Sequence, residues 1–240
     1  RSLAADRDHI TYDYGDKVDS FIGLDFDYIK SKALEIDVNQ TSLFKSPENL
    51  GSGTAYMAVK DEGGNAVSLI QSNFYGIGST IGVSDYGFFL HNRGAGFNLI
   101  ENHPNKIAPL RKPLHTLSPT IWSKDGKLDM VIGTRGGRYQ PQLLSQFILP
   151  LLLESSSLEQ VMKKSRWTID YFDEHTESHL IFEPGTDKAI IKDLEQKGHN
   201  IKIEKSMQGS YGPISAICKD NNGQWSGVAD SRVETSKAIY

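Results

Sequence analysis

Apolar and polar positions change rhythm several times along the chain. In "LDFDYIKSKALEID", residues 24–37, Leu24, Tyr28, Ile29 and Leu34 recur at helical intervals with Phe26 and Ala33 beside them, which predicts a short amphipathic helix. From Thr54 the period becomes two. "TAYMAVK" (54–60) and "AVSLIQS" (66–72) flank "DEGGN", which predicts a β-hairpin with a glycine-bearing turn. "SPTIWSK" with "LDMVIGT" (118–124 and 128–134) predicts a second hairpin, and "PISAICK" with "QWSGVAD" (213–219 and 224–230) a last one. "FFLHN", "TIDYF", "HLIFEP" and "NIKIEK" read as single strands. Helical spacing returns after Gly136-Gly137 in "RYQPQLLSQFILPLLLES", then in "SLEQVMKKSR" and in "TDKAIIKDLEQKG", the last closed by Gly198. Hairpins and helices in separate blocks predict an α+β architecture, antiparallel sheets with helices layered on them; parallel βαβ alternation is not the dominant pattern.

Composition narrows the function without naming it. With 240 residues, 38% hydrophobic and 23% charged, the chain can close a core as one large domain or two small ones. A net charge of -4 supplies no basic field, which speaks against nucleic acid or an anionic membrane as partner. The longest apolar run, "FILPLLL" (147–153), is too short to cross a bilayer. The lone Cys218 lies among apolar neighbours and reads as a small buried side chain. His175 and His179 of "HTESH" could share one helix face but, beside strand-like segments, read as surface residues, with metal binding the remote alternative; no His or Cys pair has convincing zinc-ligand spacing. The glycine-rich runs lack a P-loop lysine and a dinucleotide fingerprint, which sets nucleotide binding aside. The compartment stays open, with cytoplasm as the default.

The informative junction is "NLGSGTAYMAVK", where a linker-like Gly-Ser-Gly runs into a strand at Thr54. A threonine hydroxyl is a weak nucleophile unless a base stands beside it, and one available base is the residue's own α-amine once it becomes the first residue of its chain. Gly53 suits a bond to be cut ahead of Thr54, because without Cβ it lets the hydroxyl approach its carbonyl. By itself the junction reads as a loop that ends at a β-favouring residue, and "GTRGG" (133–137) by itself reads as a tight turn or a phosphate cradle.

An ordered series of motifs changes that balance. "TAYMAVKDEGGNAVSLIQS…GIGSTIGVSDYGFFLHNR", "KPLHTLSPTI", "GTRGG" and "GVADSR" together resemble the small subunit of γ-glutamyltranspeptidases, which are N-terminal nucleophile (Ntn) hydrolases. "AADRD" near Arg1 is similar to the end of their large subunit, so the resemblance covers nearly the whole chain. It implies a four-layer αββα sandwich divided into a large-subunit-like tail (1–43), a linker (44–53) and a small-subunit-like catalytic segment (54–240). It also implies cleavage between Gly53 and Thr54, Thr54 as nucleophile with its freed amine as base, and Ser72 as the hydroxyl bonded to it. Gly136 and Gly137 would supply the oxyanion-hole N–H groups. No metal or organic cofactor is implied. The partner would be the large-subunit-like part of the same precursor, and a homo-oligomer is compatible with the pattern.

The match to the family's substrate pocket is poorer. Where γ-glutamyltranspeptidases hold the glutamyl ammonium with Asn, Gln or Glu, and Asp, this chain has Phe74, Arg93 and Gly96, and the paired serines that help hold the carboxylate become His115 and Thr116. An ammonium would meet a like charge and no acceptor. The expected function is therefore an amidohydrolase or acyltransferase acting on an acyl amide or a γ-glutamyl compound, with an acyl carboxylate gripped by Arg93 or Arg135; for Arg93 the alternative is a structural ion pair with an acidic neighbour. The alternative is a catalytically silent relative that keeps the fold for binding or assembly.

Overall fold

The structure, a computed structural model, describes residues 10–15, 25–41, 52–170, 179–209, 211–220, 222–234 and 237–239. His175 and nearly all of the 44–53 linker lie outside these. The first described helix is α1 (Phe26–Leu34), N-capped by Asp25, which accepts from the Tyr28 N–H at 2.8 Å. It is shorter than the periodicity predicts, and none of its residues is buried.

The predicted first hairpin is β1 (Ser52–Lys60) and β2 (Ala66–Tyr75), paired antiparallel with Tyr56 opposite Ile70 and Met57 opposite Leu69. "FFLHN" yields only the two-residue β4 (Phe88–Phe89), paired with β3 (Gly82–Val83). The second hairpin, β5 (Thr120–Lys124) and β6 (Lys127–Thr134), leads through a 3-10 turn into α2 (Gln140–Leu153) and then α3 (Leu158–Lys163). A Ser157–Gln160 capping box starts α3. Next come β7 (Trp167–Asp170), β8 (His179–Phe182), α4 (Lys188–Gln196) and β9 (Asn200–Ile203), with β8 and β9 parallel. That β–α–β unit is a local exception to the antiparallel expectation, made possible because α4 supplies the crossover. His179 opens β8 half-buried, which corrects its reading as a surface residue. The last hairpin, β10 (Ile214–Lys219) and β11 (Trp225–Ala229), completes a sheet in the order β11-β10-β6-β5.

Three layers follow from side-chain alternation on the central strands. Met130 and Ile132 of β6, with Ile214, Ala216 and Cys218 of β10, pack with Leu144, Phe147 and Ile148 of α2 and Val161 and Met162 of α3. Burial pushes the Cys218 thiol up to about 12, consistent with a packing role. The opposite face of β5, β6 and β10 is covered by the β1–β2 hairpin, and Gly133 has no room for a Cβ because the Tyr56 ring lies on it. The outer face of that hairpin is bare: Met57, Val59, Val67 and Leu69 are each about half exposed, and they pair directly across the two strands.

Candidate active site

The Gly53–Thr54 junction lies at an irregularity in the first hairpin. Thr54 pairs with Ser72 and Ser52 with Tyr75, so the single residue Gly53 faces two, Asn73 and Phe74. This bulge puts Phe74 at φ 78, a left-handed conformation that costs a bulky residue roughly 1–3 kcal/mol. Hydrogen bonds on both sides hold it there. The Phe74 N–H donates to Ser72 Oγ at 3.1 Å, while Asn92 Oδ1 accepts from the Tyr75 N–H at 2.9 Å and Asn92 Nδ2 donates to the Tyr75 carbonyl at 3.1 Å. A Cβ on Gly53 would run into the Gly76 carbonyl oxygen, so close backbone approach requires glycine here. Thr54 is 6% exposed, and its Oγ1 donates to Ser72 Oγ at 2.9 Å. Ser72 thus accepts from the candidate nucleophile and from the strained peptide together.

The glycine pair forms the turn between β6 and α2. Gly136 and Gly137 have φ of 125 and 55, which L side chains rarely adopt. Among the described residues neither N–H donates a hydrogen bond, leaving two donors at a turn that opens a helix. Gly212 packs behind the turn, its Cα 3.5 Å from where a Gly136 Cβ would stand. Its carbonyl accepts from Thr134 Oγ1 at 2.8 Å and from Arg166 Nη1 at 3.1 Å. Alternation brings the two halves together: Thr54 is on the same side of β1 as Tyr56, whose ring rests on Gly133, three residues before Gly136.

Behind Gly212 stands a buried charge network that pattern reading missed. Arg166 pairs with Asp230 at 2.6 Å, Arg232 bridges Asp230 and Glu183, and Asp230 Oδ2 accepts from the Ile214 N–H at 3.0 Å. Burial alone would raise the Asp230 carboxyl, but the Arg166 charge and the backbone donors outweigh it and hold it below the usual carboxylate value. The same balance lowers Glu183, through Arg232 and the Gln208 and Arg166 N–H groups. The motif "GVADSR" was the one sequence signal for this network, since it contains Asp230 and Arg232.

The remaining candidates cluster around Arg93, which opens a 3-10 turn, Arg93–Gly96, and is 7% exposed. Its Nη1 donates to Thr116 Oγ1 at 3.2 Å and its guanidinium lies 4.8 Å from the Phe74 ring centroid. His115 is open to solvent on one side, yet partial burial and the Arg93 charge push its pKa below the ordinary imidazole value. A cavity of about 390 Å³ beside it is lined by residues 11–15, Lys112 and Pro113. Gly96 packs against Leu114. Arg135 is half-buried at the glycine turn, apart from this cluster in the contacts described. A further residue absent from the sequence reading is Gln140, fully buried at the start of α2, whose Oε1 accepts from the Ser118 N–H at 2.9 Å. It joins the segment bearing Thr116 to the glycine turn.

A family model described as gamma-glutamyltranspeptidase matches residues 3–240. The glutathione hydrolase-like YwrD proenzyme of Bacillus subtilis is 37% identical over 210 residues, covering 87% of this chain and 39% of that protein. The oxamate amidohydrolase proenzyme of Klebsiella pneumoniae is 32% identical over 199 residues, 81% of this chain and 38% of that protein. Among solved structures, a cephalosporin acylase from Bacillus halodurans superimposes with a TM-score of 0.75 at 28% identity, over 90% of this chain and 39% of that one. The chain thus spans about two-fifths of the length of the proteins it matches.

Proposed function

The chain belongs to the gamma-glutamyltranspeptidase family, and on that footing we propose that it is the catalytic part of a self-cleaving Ntn amidohydrolase whose nucleophile is Thr54. The observation that carries this reading is the 2.9 Å hydrogen bond from buried Thr54 Oγ1 to Ser72 Oγ, one residue after a glycine held on a strained bulge.

Cleavage runs as an N-to-O acyl shift. Thr54 Oγ1 attacks the Gly53 carbonyl carbon, the Gly53–Thr54 C–N bond breaks as the ester forms, and the nitrogen gains a proton. Water then hydrolyses the ester, leaving a Gly53 carboxylate and a Thr54 with a free hydroxyl and a free α-amine. In catalysis that amine takes the hydroxyl proton as the oxygen adds to a substrate amide. The tetrahedral oxyanion is held by the Gly136 and Gly137 N–H groups. Collapse expels the amine leaving group with the proton, and water or an acceptor amine releases the acyl group from Thr54.

Phe74, Arg93 and Gly96 stand where γ-glutamyltranspeptidases bind an ammonium, so the pocket is built for another acyl group. The name of the oxamate amidohydrolase relative fits an amide without a glutamyl side chain. The part preceding Thr54, together with upstream sequence corresponding to the rest of the relatives' length, is the partner of the catalytic segment. Intact mass of the full-length protein tests the proposal. Wild type should split at Gly53–Thr54 and Thr54→Ala should stay whole; if both stay whole, the chain is a silent relative.

A further inference from the structure

We propose that Arg93 is a receptor for a carboxylate on the acyl part of the substrate, which makes the preferred substrate a monoamide of a dicarboxylic acid without an α-amino group. This inference rests on Thr54 acting as the acyl acceptor.

The argument begins with a missing charge. Arg93 is sealed from solvent apart from 7% of its surface, yet no carboxylate among the described residues lies within ion-pair distance of it. Its Nη1 has one acceptor, Thr116 Oγ1, and Nη2 is buried with no acceptor. The Phe74 ring under the guanidinium attracts the cation but cannot take up the in-plane N–H groups of Nη2. Burial is also the single cause acting on its proton affinity, which it lowers. A buried guanidinium in this condition is one anion short, and a planar carboxylate is the anion that matches its fork.

The surroundings select the ligand further. The residue under Arg93, Phe74, gives its N–H to Ser72, which accepts from Thr54. The residue in front of it, Thr116, is two positions from Ser118, which Gln140 ties to the glycine turn. Arg93 is therefore braced by both halves of the proposed catalytic machinery. Burial and the Arg93 charge lower the His115 pKa, which disfavours a second cation beside Arg93. Gly96 contributes no side chain and Phe74 no polar group, so an ammonium on the acyl chain would find no acceptor from them beside a fixed positive charge. Arg135 is in contact with solvent and lacks this unmet demand.

The test uses full-length, self-cleaved protein and amides that share one leaving amine. Their acyl ends carry a carboxylate, its methyl ester, or a carboxylate plus an α-amine. Wild type should favour the plain carboxylate over the ester by about 10- to 100-fold in kcat/KM, the range of one charge-assisted pair. Arg93→Gln should erase that preference, and Arg93→Lys should restore part of it, with thermal melts reporting that each variant folds. Equal turnover of acid and ester by wild type, or a preference that survives in Arg93→Gln, overturns the proposal. Calorimetric titration with succinate gives a readout independent of turnover. Binding to wild type but not to Arg93→Gln sustains the anion site even if no amide is cleaved, in which case the amidohydrolase reading falls alone. No succinate binding overturns the site, as it would if a carboxylate from the preceding segment already fills it. Tighter binding of inorganic phosphate overturns the carboxylate assignment.

Discussion

Asp230 holds Arg166 at 2.6 Å, and Arg166 in turn donates to the Gly212 carbonyl at 3.1 Å, the residue packed behind Gly136. The charge network is thus a brace for the glycine turn as well as an element of the core. Asp230→Asn leaves Arg166 buried without its counter-charge, and breaking a buried pair typically costs about 3–5 kcal/mol. The sign of the pH dependence follows from the direction of the shifts. Asp230 and Glu183 are both held below their ordinary values in the folded state. Their stabilisation is therefore full above the unfolded carboxylate pKa of about 4 and is lost as pH falls through the lower folded values. Urea melts from pH 7 to pH 3 should show the deficit of Asp230→Asn narrowing below about pH 4, because the unfolded wild-type chain then takes up a proton that folded Asp230, held at a lower pKa, does not. A deficit constant with pH contradicts the assignment.

Gly53 tests whether the bulge serves cleavage. Alanine there would drive its Cβ into the Gly76 carbonyl oxygen and displace the backbone ahead of Thr54. Overpacking of this kind costs about 1–3 kcal/mol, so self-cleavage of full-length Gly53→Ala should slow by about 10- to 100-fold if the strain falls on the reacting geometry. Time-resolved intact mass gives the rate. An unchanged rate would mean that the bulge relaxes around the methyl group.

How much of this was readable in the chain depends on the range of the interaction. The hairpins at 54–72 and 118–134 and the helix after the glycine pair follow from local periodicity, and all are present. Thr54, Ser72, Gly136 and Gly137 were singled out by an ordered motif series, and the structure brings Thr54 and Ser72 into hydrogen-bond contact. The bulge was not, since it depends on how Asn73 and Phe74 register against Gly53, which no period-two pattern encodes. Nor was the pairing of Arg166 with Asp230, 64 positions apart; each is an ordinary charged residue until the sheet brings them together. The parallel β8–β9 pair was hidden for the same reason, because strand direction is set by the α4 crossover and not by the strands' own residues.

Gly136→Ala addresses the proposed oxyanion turn. A φ of 125 strains any L residue, and the new Cβ would come within 3.3 Å of Leu143 Cδ1, so the turn must rotate its N–H groups. Loss of one oxyanion donor lowers kcat by about 10²–10³ with little change in KM. Steady-state kinetics on the best amide from the substrate series reads both constants. A rise in KM at constant kcat would move Gly136 from the transition state to ground-state binding.

The last prediction concerns the bare side of the first hairpin. Met57 faces Leu69 and Val59 faces Val67, four apolar side chains in one patch, each about half exposed in this chain. The inner face of the same hairpin packs on β6, so the molecule described has helix, sheet and sheet, with nothing on the outer side among the described residues. This chain spans about two-fifths of the length of the relatives it matches, and the four-layer sandwich that the resemblance implies has one layer more. The proposed large-subunit-like partner would be the cover. Leu69→Glu should destabilise the full-length protein by about 2–4 kcal/mol, from lost apolar burial and a carboxylate forced against an apolar layer. Glu62→Gln, in the exposed turn of the same hairpin, should change stability by less than about 0.5 kcal/mol. Urea midpoints for the two variants decide the matter, for equal midpoints would mean that this face stays in water in the complete protein.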